Sequence, residues 1–256
     1  MKLLATLLIA FAVARSFADE PEKLVNGTPT SIQRYPHCIS IRASNSHMCG
    51  GSIISPNYIL TAGHCVDPLL SDATLRSRAV VVSGTTYLNS GGQSHKIKNL
   101  YIHPNYKGTS GRPAGYDIGI IELATPIQFS STQQPIKLPT RDVTKGESVS
   151  VVAWGSTGFR KNIHNDLQKI DAQLMLPGQC QEYHKSLMKV SPSEFCTLIS
   201  YGTGACNGDS GSGVVRNSDG TIAGLVSGGL PCARGYPDIY TSVYPFRSWI
   251  KQITNL

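Results

Sequence analysis

Short apolar runs, separated at close intervals by glycine and proline, set the strongest limit on how this chain can fold. Its 256 residues include 25 glycines and 15 prolines, which interrupt long helices and long strands. Several of these runs are apolar and contain β-branched or aromatic residues, as is typical of strands; they are residues 58–60, 79–82, 149–154 and 238–243. A helical pattern is convincing only near the end, where Phe246, Trp249 and Ile250 fall on one helical face. This pattern predicts an all-β barrel or sandwich.

The N-terminus has the three parts of a secretory signal peptide. Lys2 supplies a positive charge, residues 3–13 are a short apolar run, and Ser16-Phe17-Ala18 resembles a small-residue cleavage site. The apolar run is too short to span a bilayer, and no later stretch is long enough. We therefore predict a signal peptide over residues 1–18, a secreted protein and no membrane partner.

A short acidic segment follows the predicted signal peptide. Residues 19–23 contain three carboxylates and end in a single lysine, Lys23. If a protease cuts after Lys23, Leu24 acquires a new α-amino group. The other interpretation is an ordinary N-terminal tail.

The positive charge of the chain does not by itself identify a partner. The formal net charge is +7, which could attract acidic partners or sulfated glycans, although a solvated basic surface is the simpler interpretation. Lysines and arginines are scattered, and no basic stretch is interleaved with aromatic residues. We therefore expect no nucleic-acid partner.

Seven cysteines in a chain predicted to be secreted indicate disulfide bonds. Because the number is odd, at least one cysteine stays free or pairs with another chain. CxxC pairs are absent, which argues against a structural zinc site. The cysteines are Cys38, Cys49, Cys65, Cys180, Cys196, Cys206 and Cys232.

Three polar residues stand where apolar runs meet small residues. His64 follows a run that ends in Ala-Gly, Asp117 opens the apolar run 118–123, and Ser210 lies in the glycine-rich segment 206–213. Each has an ordinary explanation as well: a hydrogen-bonded core histidine, a turn residue before a strand, and a glycine-rich turn. Together they are the types that acyl transfer needs, namely a serine nucleophile, a histidine base and an aspartate that orients the imidazole.

The motifs around these residues carry a family resemblance. Thr61-Ala62-Gly63-His64-Cys65, Asp117-Ile118-Gly119-Ile120-Ile121 and Gly208-Asp209-Ser210-Gly211 occur in the order His, Asp, Ser. In these motifs and their order the chain resembles the chymotrypsin-like (trypsin-family) serine endopeptidases, whose order differs from those of the α/β-hydrolases and the subtilisins. The resemblance covers nearly all of the chain from Leu24 to the end.

The resemblance implies an all-β fold with two six-stranded antiparallel β-barrels and a C-terminal α-helix. The implied organisation is a signal peptide over residues 1–18, an activation propeptide over 19–23 and a peptidase domain over 24–256, with the catalytic cleft between the barrels. The implied activity is peptide-bond hydrolysis through an acyl-enzyme, with His64, Asp117 and Ser210 as catalytic residues. Backbone N–H groups of Gly208 and Ser210 would form the oxyanion hole.

By the same resemblance, Lys23, Leu24 and Asp209 have a role in activation. Cleavage after Lys23 by a trypsin-like protease would free Leu24, whose ammonium group would insert beside Asp209 and order the oxyanion hole. The secreted form is therefore expected to be a zymogen. The resemblance also implies three disulfides and leaves Cys38 as a buried free thiol; the pairs are Cys49–Cys65, Cys180–Cys196 and Cys206–Cys232.

The sequence departs from the family pattern at two places that matter for the predictions. Between Asp72 and Asp117 there is no aspartate or glutamate, although the optional calcium loop of the family needs carboxylates there. We therefore predict no calcium, no other metal and no cofactor. Ser212-Gly213 replaces a usual Gly-Pro, which removes a rigid φ just after the nucleophile.

Cleavage specificity is expected to depend on a pocket near Gly204, Ser227, Gly229 and Asp238. By the resemblance, Gly204 stands where trypsins have an aspartate, Gly229 leaves the entrance open, and Asp238 occupies a wall position where glycine is common. Three interpretations of Asp238 stay open: it pairs with Lys or Arg of the substrate, it is hydrogen-bonded and narrows the pocket, or it turns away. We prefer chymotrypsin-like cleavage after Phe, Tyr and Leu with broadened specificity, because an open pocket stabilises a buried aromatic side chain by ~1.5–3 kcal/mol.

The main alternative is a catalytically weak or inactive binding protein with a protease fold. Such a protein normally lacks a catalytic residue, whereas His64, Asp117 and Ser210 are all present. The expected partners are protein or peptide substrates, an activating trypsin-like protease and protein inhibitors. The chain is expected to be a monomer.

Overall fold

The computed structural model describes residues 24–108, 115–230 and 232–256. The predicted signal peptide, residues 1–18, and the predicted propeptide, residues 19–23, lie outside the described residues. So does Lys23, the residue predicted to precede the activation cleavage.

Six strands of the N-terminal half close into the first barrel. The strands are β2 (Cys38–Ala43), β3 (Ser46–Ile53), β4 (Tyr58–Thr61), β5 (Ala79–Ser83), β6 (Gln93–Ile102) and β7 (Gly119–Leu123). Every neighbouring pair is antiparallel, in the closed order β2-β3-β4-β7-β6-β5. Branched aliphatic side chains such as Ile41, Ile59 and Val81 fill the interior and are fully buried, which is the period-two pattern of a small filled barrel.

Six further strands close into the second barrel. They are β8 (Ser148–Ala153), β9 (Gln168–Met175), β10 (Glu194–Thr197), β11 (Gly213–Arg216), β12 (Ile222–Gly228) and β13 (Asp238–Ser242). The order β9-β10-β13-β12-β11-β8 becomes a ring because β8 also pairs with β9, and the short strand β1 (Thr28–Pro29) adds to the edge of β9. The predicted fold class, two six-stranded antiparallel barrels, is confirmed.

A separate apolar cluster joins the two barrels. It contains Leu60 of β4 and Ile120 of β7 from the first barrel, and Leu225 of β12 from the second. Burial of these side chains between the barrels stabilises the docking of one barrel on the other. The helix predicted at the C-terminus packs into the same cluster through Phe246 and Ile250, after a 3₁₀ turn at Tyr244–Phe246; this helix, Arg247–Thr254, is α4.

The other helices are short and lie in connections between strands. They are α1 (Gly63–Ser71), α2 (Ala73–Ser77) and α3 (Pro177–His184). A weak helical pattern over 179–188 predicts α3. The helix begins two residues earlier, because Pro177 is well suited to a first turn, and it ends at His184, before Lys185 with φ +50°. No helix of the described residues is long and apolar enough to cross a membrane.

Three disulfides link the chain within each barrel and beside the cleft. They are Cys49–Cys65, Cys180–Cys196 and Cys206–Cys232, the pairs that the family resemblance implies. Cys38 is a free cysteine and is buried. Burial raises the pKa of the Cys38 thiol, so it stays protonated and unreactive at neutral pH.

Candidate active site

The pairing of β4 with β7 brings His64 and Asp117 together. Thr61 pairs with Gly119 in this antiparallel ladder, so the chain leaving β4 and the chain entering β7 lie at the same end of the sheet. His64 lies in the first turn of α1, just after β4, and Asp117 lies just before β7. The disulfide Cys49–Cys65 ties the first turn of α1 to β3.

His64 and Asp117 form two hydrogen bonds that fix the imidazole. Nδ1 of His64 lies 2.7 Å from Oδ2 of Asp117, and the backbone N–H of His64 donates to Oδ1 at 2.8 Å. A carboxylate at Nδ1 holds the ring proton there, so that the lone pair of Nε2 is free to accept a proton. The imidazole is partly exposed, whereas the carboxylate side chain is about nine-tenths buried.

The second barrel also holds the carboxylate of Asp117. Ser227 Oγ donates to Oδ2 at 2.7 Å, and Thr241 Oγ1 donates to the backbone carbonyl of Asp117 at 3.0 Å. Burial raises the pKa of Asp117, but the hydrogen bond and charge of His64 and the hydrogen bond from Ser227 outweigh it, so the pKa is lowered. Asp117 is therefore ionised at neutral pH.

The segment that carries Ser210 belongs to the second barrel and contacts the first barrel near the start of α1. Its backbone carbonyl accepts a hydrogen bond from Gly50 N–H at 2.8 Å, and the next N–H, that of Gly211, donates to Val226 at 2.8 Å. Gly211 has φ +76°, and a Cβ there would come within 2.7 Å of the carbonyl of Gly50 and 3.1 Å of the nitrogen of Ala62. Only glycine fits this close approach, which puts Ser210 beside the chain that leads into His64.

The loop before Ser210 carries backbone donors without partners. The N–H groups of Gly208 and Ser210 make no hydrogen bond to any of the described residues. Gly208 has φ +90°, and its carbonyl accepts a hydrogen bond from His47 Nε2 at 2.8 Å, so the carbonyl already has a partner in the first barrel. Two free N–H groups beside a serine hydroxyl suit the stabilisation of an oxyanion.

His47 is a site residue that sequence reasoning missed. Its ring joins two partners from different barrels: Nδ1 lies 2.8 Å from Ser40 Oγ, and Nε2 donates to Gly208. Burial lowers the pKa of His47 to about 4, more than the hydrogen bond to Gly208 raises it. The ring is thus neutral at physiological pH, as a donor at Nε2 and acceptor at Nδ1 requires. A single histidine in a strand gives no sequence signal for this role.

Asp209 lies fully buried behind Ser210. Its carboxylate accepts from Gly155 N–H at 2.7 Å and from Cys206 N–H at 2.8 Å. Burial raises the pKa of Asp209 to about 8 against the lowering effect of these two hydrogen bonds, and the nearby Asp238 raises it further. The backbone nitrogen of Leu24, also buried, donates instead to Nε2 of His164 at 3.1 Å.

A cavity of 110 Å³ opens beside Ser210 and is lined by both loops of the disulfide Cys206–Cys232. Two of the predicted pocket residues, Gly229 and Asp238, line it. The other two do not: Ser227 turns its hydroxyl to Asp117, and Gly204 lies behind the carboxylate of Asp238. The lining residues are Ala205, Cys206, Asn207, Ser210, Val226, Gly228, Gly229, Leu230, Cys232 and Asp238.

The carboxylate of Asp238 packs against the backbone of Gly204. Oδ2 of Asp238 accepts from Ala205 N–H at 2.7 Å, and a Cβ on Gly204 would lie 2.6 Å from the same oxygen. The absence of a side chain at Gly204 therefore makes room for the carboxylate. Burial raises the pKa of Asp238 to about 7, more than the hydrogen bond from Ala205 lowers it. The wall of the cavity thus carries a group that titrates near neutrality.

One barrel carries a hydrogen-bonded histidine–aspartate pair and the other a serine beside free backbone donors, which are the parts of a serine-hydrolase site. The family model described as trypsin matches residues 24–250. Chymotrypsin-2 of Vespa crabro is 35% identical over 230 residues, covering 90% of this chain and 99% of that protein. Trypsin delta of Drosophila erecta is 35% identical over 231 residues, covering 89% of this chain and 87% of that protein.

A solved structure supports the fold independently. It is neuropsin, a serine protease expressed in the limbic system of mouse brain, with a TM-score of 0.78 and 24% identity. The match covers 89% of this chain and 98% of the neuropsin chain. The chain described here belongs to the trypsin family and is a chymotrypsin-like serine endopeptidase.

Proposed function

We propose that this protein is a secreted endopeptidase that acts through His64, Asp117 and Ser210 and prefers Phe, Tyr or Leu before the cleaved bond. It is made as a zymogen, with a signal peptide over residues 1–18 and a propeptide over 19–23, and a trypsin-like protease activates it by cutting after Lys23. It acts as a monomer on protein or peptide substrates and is subject to protein inhibitors. The hydrogen bond of 2.7 Å between Nδ1 of His64 and Oδ2 of Asp117 carries the proposal.

The geometry supports an acyl-enzyme mechanism. Oγ of Ser210 attacks the substrate carbonyl while Nε2 of His64 takes the hydroxyl proton. The ionised Asp117 stabilises the imidazolium that forms. The N–H groups of Gly208 and Ser210 receive the negative oxygen of the tetrahedral intermediate. The imidazolium then gives its proton to the leaving amine, and a water molecule repeats the cycle to release the acid.

A labelling experiment tests this function. The secreted protein is treated with trypsin, its new N-terminus is sequenced, and a serine-directed phosphonate is added. We expect cleavage before Leu24 and stoichiometric labelling of Ser210, detected by peptide mass analysis. A correctly cut chain that does not label at Ser210 would contradict the proposed activity.

The lining of the cavity supports a broad rather than a strict preference for the substrate residue before the cleaved bond. Gly228 and Gly229 leave its entrance without side chains, so that a large aromatic or aliphatic group can enter. Asp238 adds a carboxylate that is neutral below pH 7 and charged above it, because its pKa is raised to about 7. The charged form attracts Lys and Arg side chains of the substrate, whereas the neutral form favours apolar ones.

Raising the pH from 6 to 8 should increase cleavage after lysine relative to cleavage after phenylalanine. The ionised fraction of Asp238 rises about 10-fold over this range, and the ratio of the two kcat/KM values should follow it. The measurement uses two peptides that differ only at the residue before the cleaved bond, so that pH effects common to both peptides cancel in the ratio.

Two variants separate the charge of Asp238 from its shape. In Asp238→Asn the ratio should stay flat with pH, because the amide keeps the size of the side chain but does not ionise. In Asp238→Gly the aromatic preference should sharpen. An unchanged pH slope in Asp238→Asn would rule out a role of this carboxylate in selection.

A further inference from the structure

The backbone nitrogen of Leu24 has a buried histidine as its acceptor. It donates to Nε2 of His164 at 3.1 Å, and Leu24 and His164 are 0% and 6% exposed. We infer that His164 is a positioning residue of the activated enzyme, which receives the α-amino group of Leu24 once the chain is cut. This inference rests on the proposed activation by cleavage after Lys23.

The surroundings of His164 suit an acceptor at Nε2. Oδ1 of Asp166 lies 3.8 Å from Nδ1, and a carboxylate on that side favours a proton on Nδ1. The lone pair of Nε2 is then directed to Leu24. The backbone N–H of His164 contacts the carbonyls of Trp154 and Gly155 at 3.2 and 3.1 Å, which fixes the base of the side chain.

A continuous set of contacts leads from His164 to the reacting serine. The carbonyl of Gly155 accepts from His164, and the N–H of Gly155 donates to Oδ1 of Asp209 at 2.7 Å. Asp209 lies between Gly208 and Ser210, whose N–H groups are the proposed oxyanion donors. Gly155 is therefore the single residue between His164 and Asp209, so a change in the position of His164 can shift the segment Gly208-Asp209-Ser210.

In the proposed activation, the ammonium group of Leu24 has two partners with different roles, His164 and Asp209. It has three N–H donors, of which one suffices for His164 and two remain for other acceptors. Asp209 is a buried carboxylate that has no cationic partner among the described residues. Arrival of a cation nearby would favour the ionised form of Asp209. His164 as acceptor orients the ammonium, and Asp209 compensates its charge.

The test compares His164→Gln with His164→Met, which are close in size and differ in whether they offer a strong acceptor. Wild type and both variants are cut with trypsin, and cleavage before Leu24 is verified by N-terminal sequencing. The rate of phosphonate labelling of Ser210 and the rate at which cyanate modifies the α-amino group of Leu24 are then measured. His95→Gln, a change of a buried histidine in β6 of the first barrel, controls for the loss of a buried ring.

We expect His164→Met to label Ser210 about 10- to 100-fold more slowly, the usual effect of losing a hydrogen bond to a charged group. The Leu24 amino group of His164→Met should react faster with cyanate. In His164→Gln, both the rate of Ser210 labelling and the rate of cyanate modification should stay close to those of wild type. Should His164→Met not fold, His164→Ala takes its place with the same expectation.

Two results would overturn the role of His164. Wild-type labelling in the cut His164→Met chain would show that no acceptor is needed there. Equal impairment of His164→Gln and His164→Met, with His95→Gln normal, would show a packing role only. If the cut wild-type chain itself fails to label, the proposed function has failed instead, so the two failures are distinguishable.

Discussion

Ser210→Ala should lower kcat of the activated enzyme by about 10⁶-fold, the size of effect found when the serine of such a triad is removed. Without Oγ no acyl-enzyme can form, and the residual rate comes from the free N–H groups of Gly208 and Ser210 acting on direct attack by water. The measurement is the initial rate on a peptide with Phe before the cleaved bond, with the variant cut by trypsin and the trypsin then removed.

The control for this prediction makes the same chemical change two residues away. Ser212 is buried, and its hydroxyl makes no hydrogen bond to another described residue. Ser212→Ala should therefore keep kcat within a few-fold of wild type, as is usual for a substitution that breaks no network. A Ser210→Ala enzyme that retains one hundredth of the wild-type rate would exclude Ser210 as the nucleophile.

Asp117→Asn should lower kcat by about 10⁴-fold, which is typical of this substitution in serine-protease triads. The carboxylate accepts three hydrogen bonds, two from His64 and one from Ser227. An amide has a single acceptor oxygen, and its N–H₂ group would donate to Nδ1 of His64. The proton of the imidazole would then lie on Nε2, which could no longer accept the proton of Ser210.

Two measurements distinguish this effect from a general loss of structure. The Nδ1 proton of His64, visible by NMR as a downfield resonance in wild type, should disappear in Asp117→Asn while thermal unfolding stays cooperative. Ser227→Ala removes one donor but keeps the carboxylate, so its kcat should fall by only about 10-fold, the cost of a hydrogen bond to a charged group. A loss in Ser227→Ala as large as that in Asp117→Asn would contradict the tautomer argument.

The local sequence patterns predict the strands of the fold, but they predict the short helices between strands less well. The runs at 58–60 and 79–82 lie in β4 and β5. The strand pattern alone predicts a barrel or a sandwich, and the family resemblance of the motifs implies the two barrels. Helix α1 was not predicted, because its sequence Gly-His-Cys-Val-Asp-Pro-Leu-Leu-Ser has a glycine, a proline and no side-chain cap. Its first turn depends on a tertiary contact instead, the hydrogen bond from His64 N–H to Asp117.

At the candidate active site, too, residues in local motifs can be predicted from the sequence, whereas residues placed by tertiary contacts cannot. His64, Asp117 and Ser210 stand in recognisable motifs, so the sequence predicts them. The contacts of His47 with Gly208 and of Ser227 with Asp117 join residues that are 161 and 110 positions apart, and nothing in their local sequence marks them. Asp238 was recognised as unusual, but only packing against Gly204 reveals how its carboxylate is accommodated.

Because the catalytic groups are divided between two barrels, the activity of the protein depends on the docking of one barrel on the other. His64 and Asp117 belong to the first barrel, Ser210 lies between β10 and β11 of the second, and the apolar cluster around Leu60 and Leu225 holds the two together. A molecule whose barrels begin to separate loses the alignment of base and nucleophile before either barrel unfolds. A molecule with separated barrels is therefore expected to be inactive, because its histidine base no longer faces the serine.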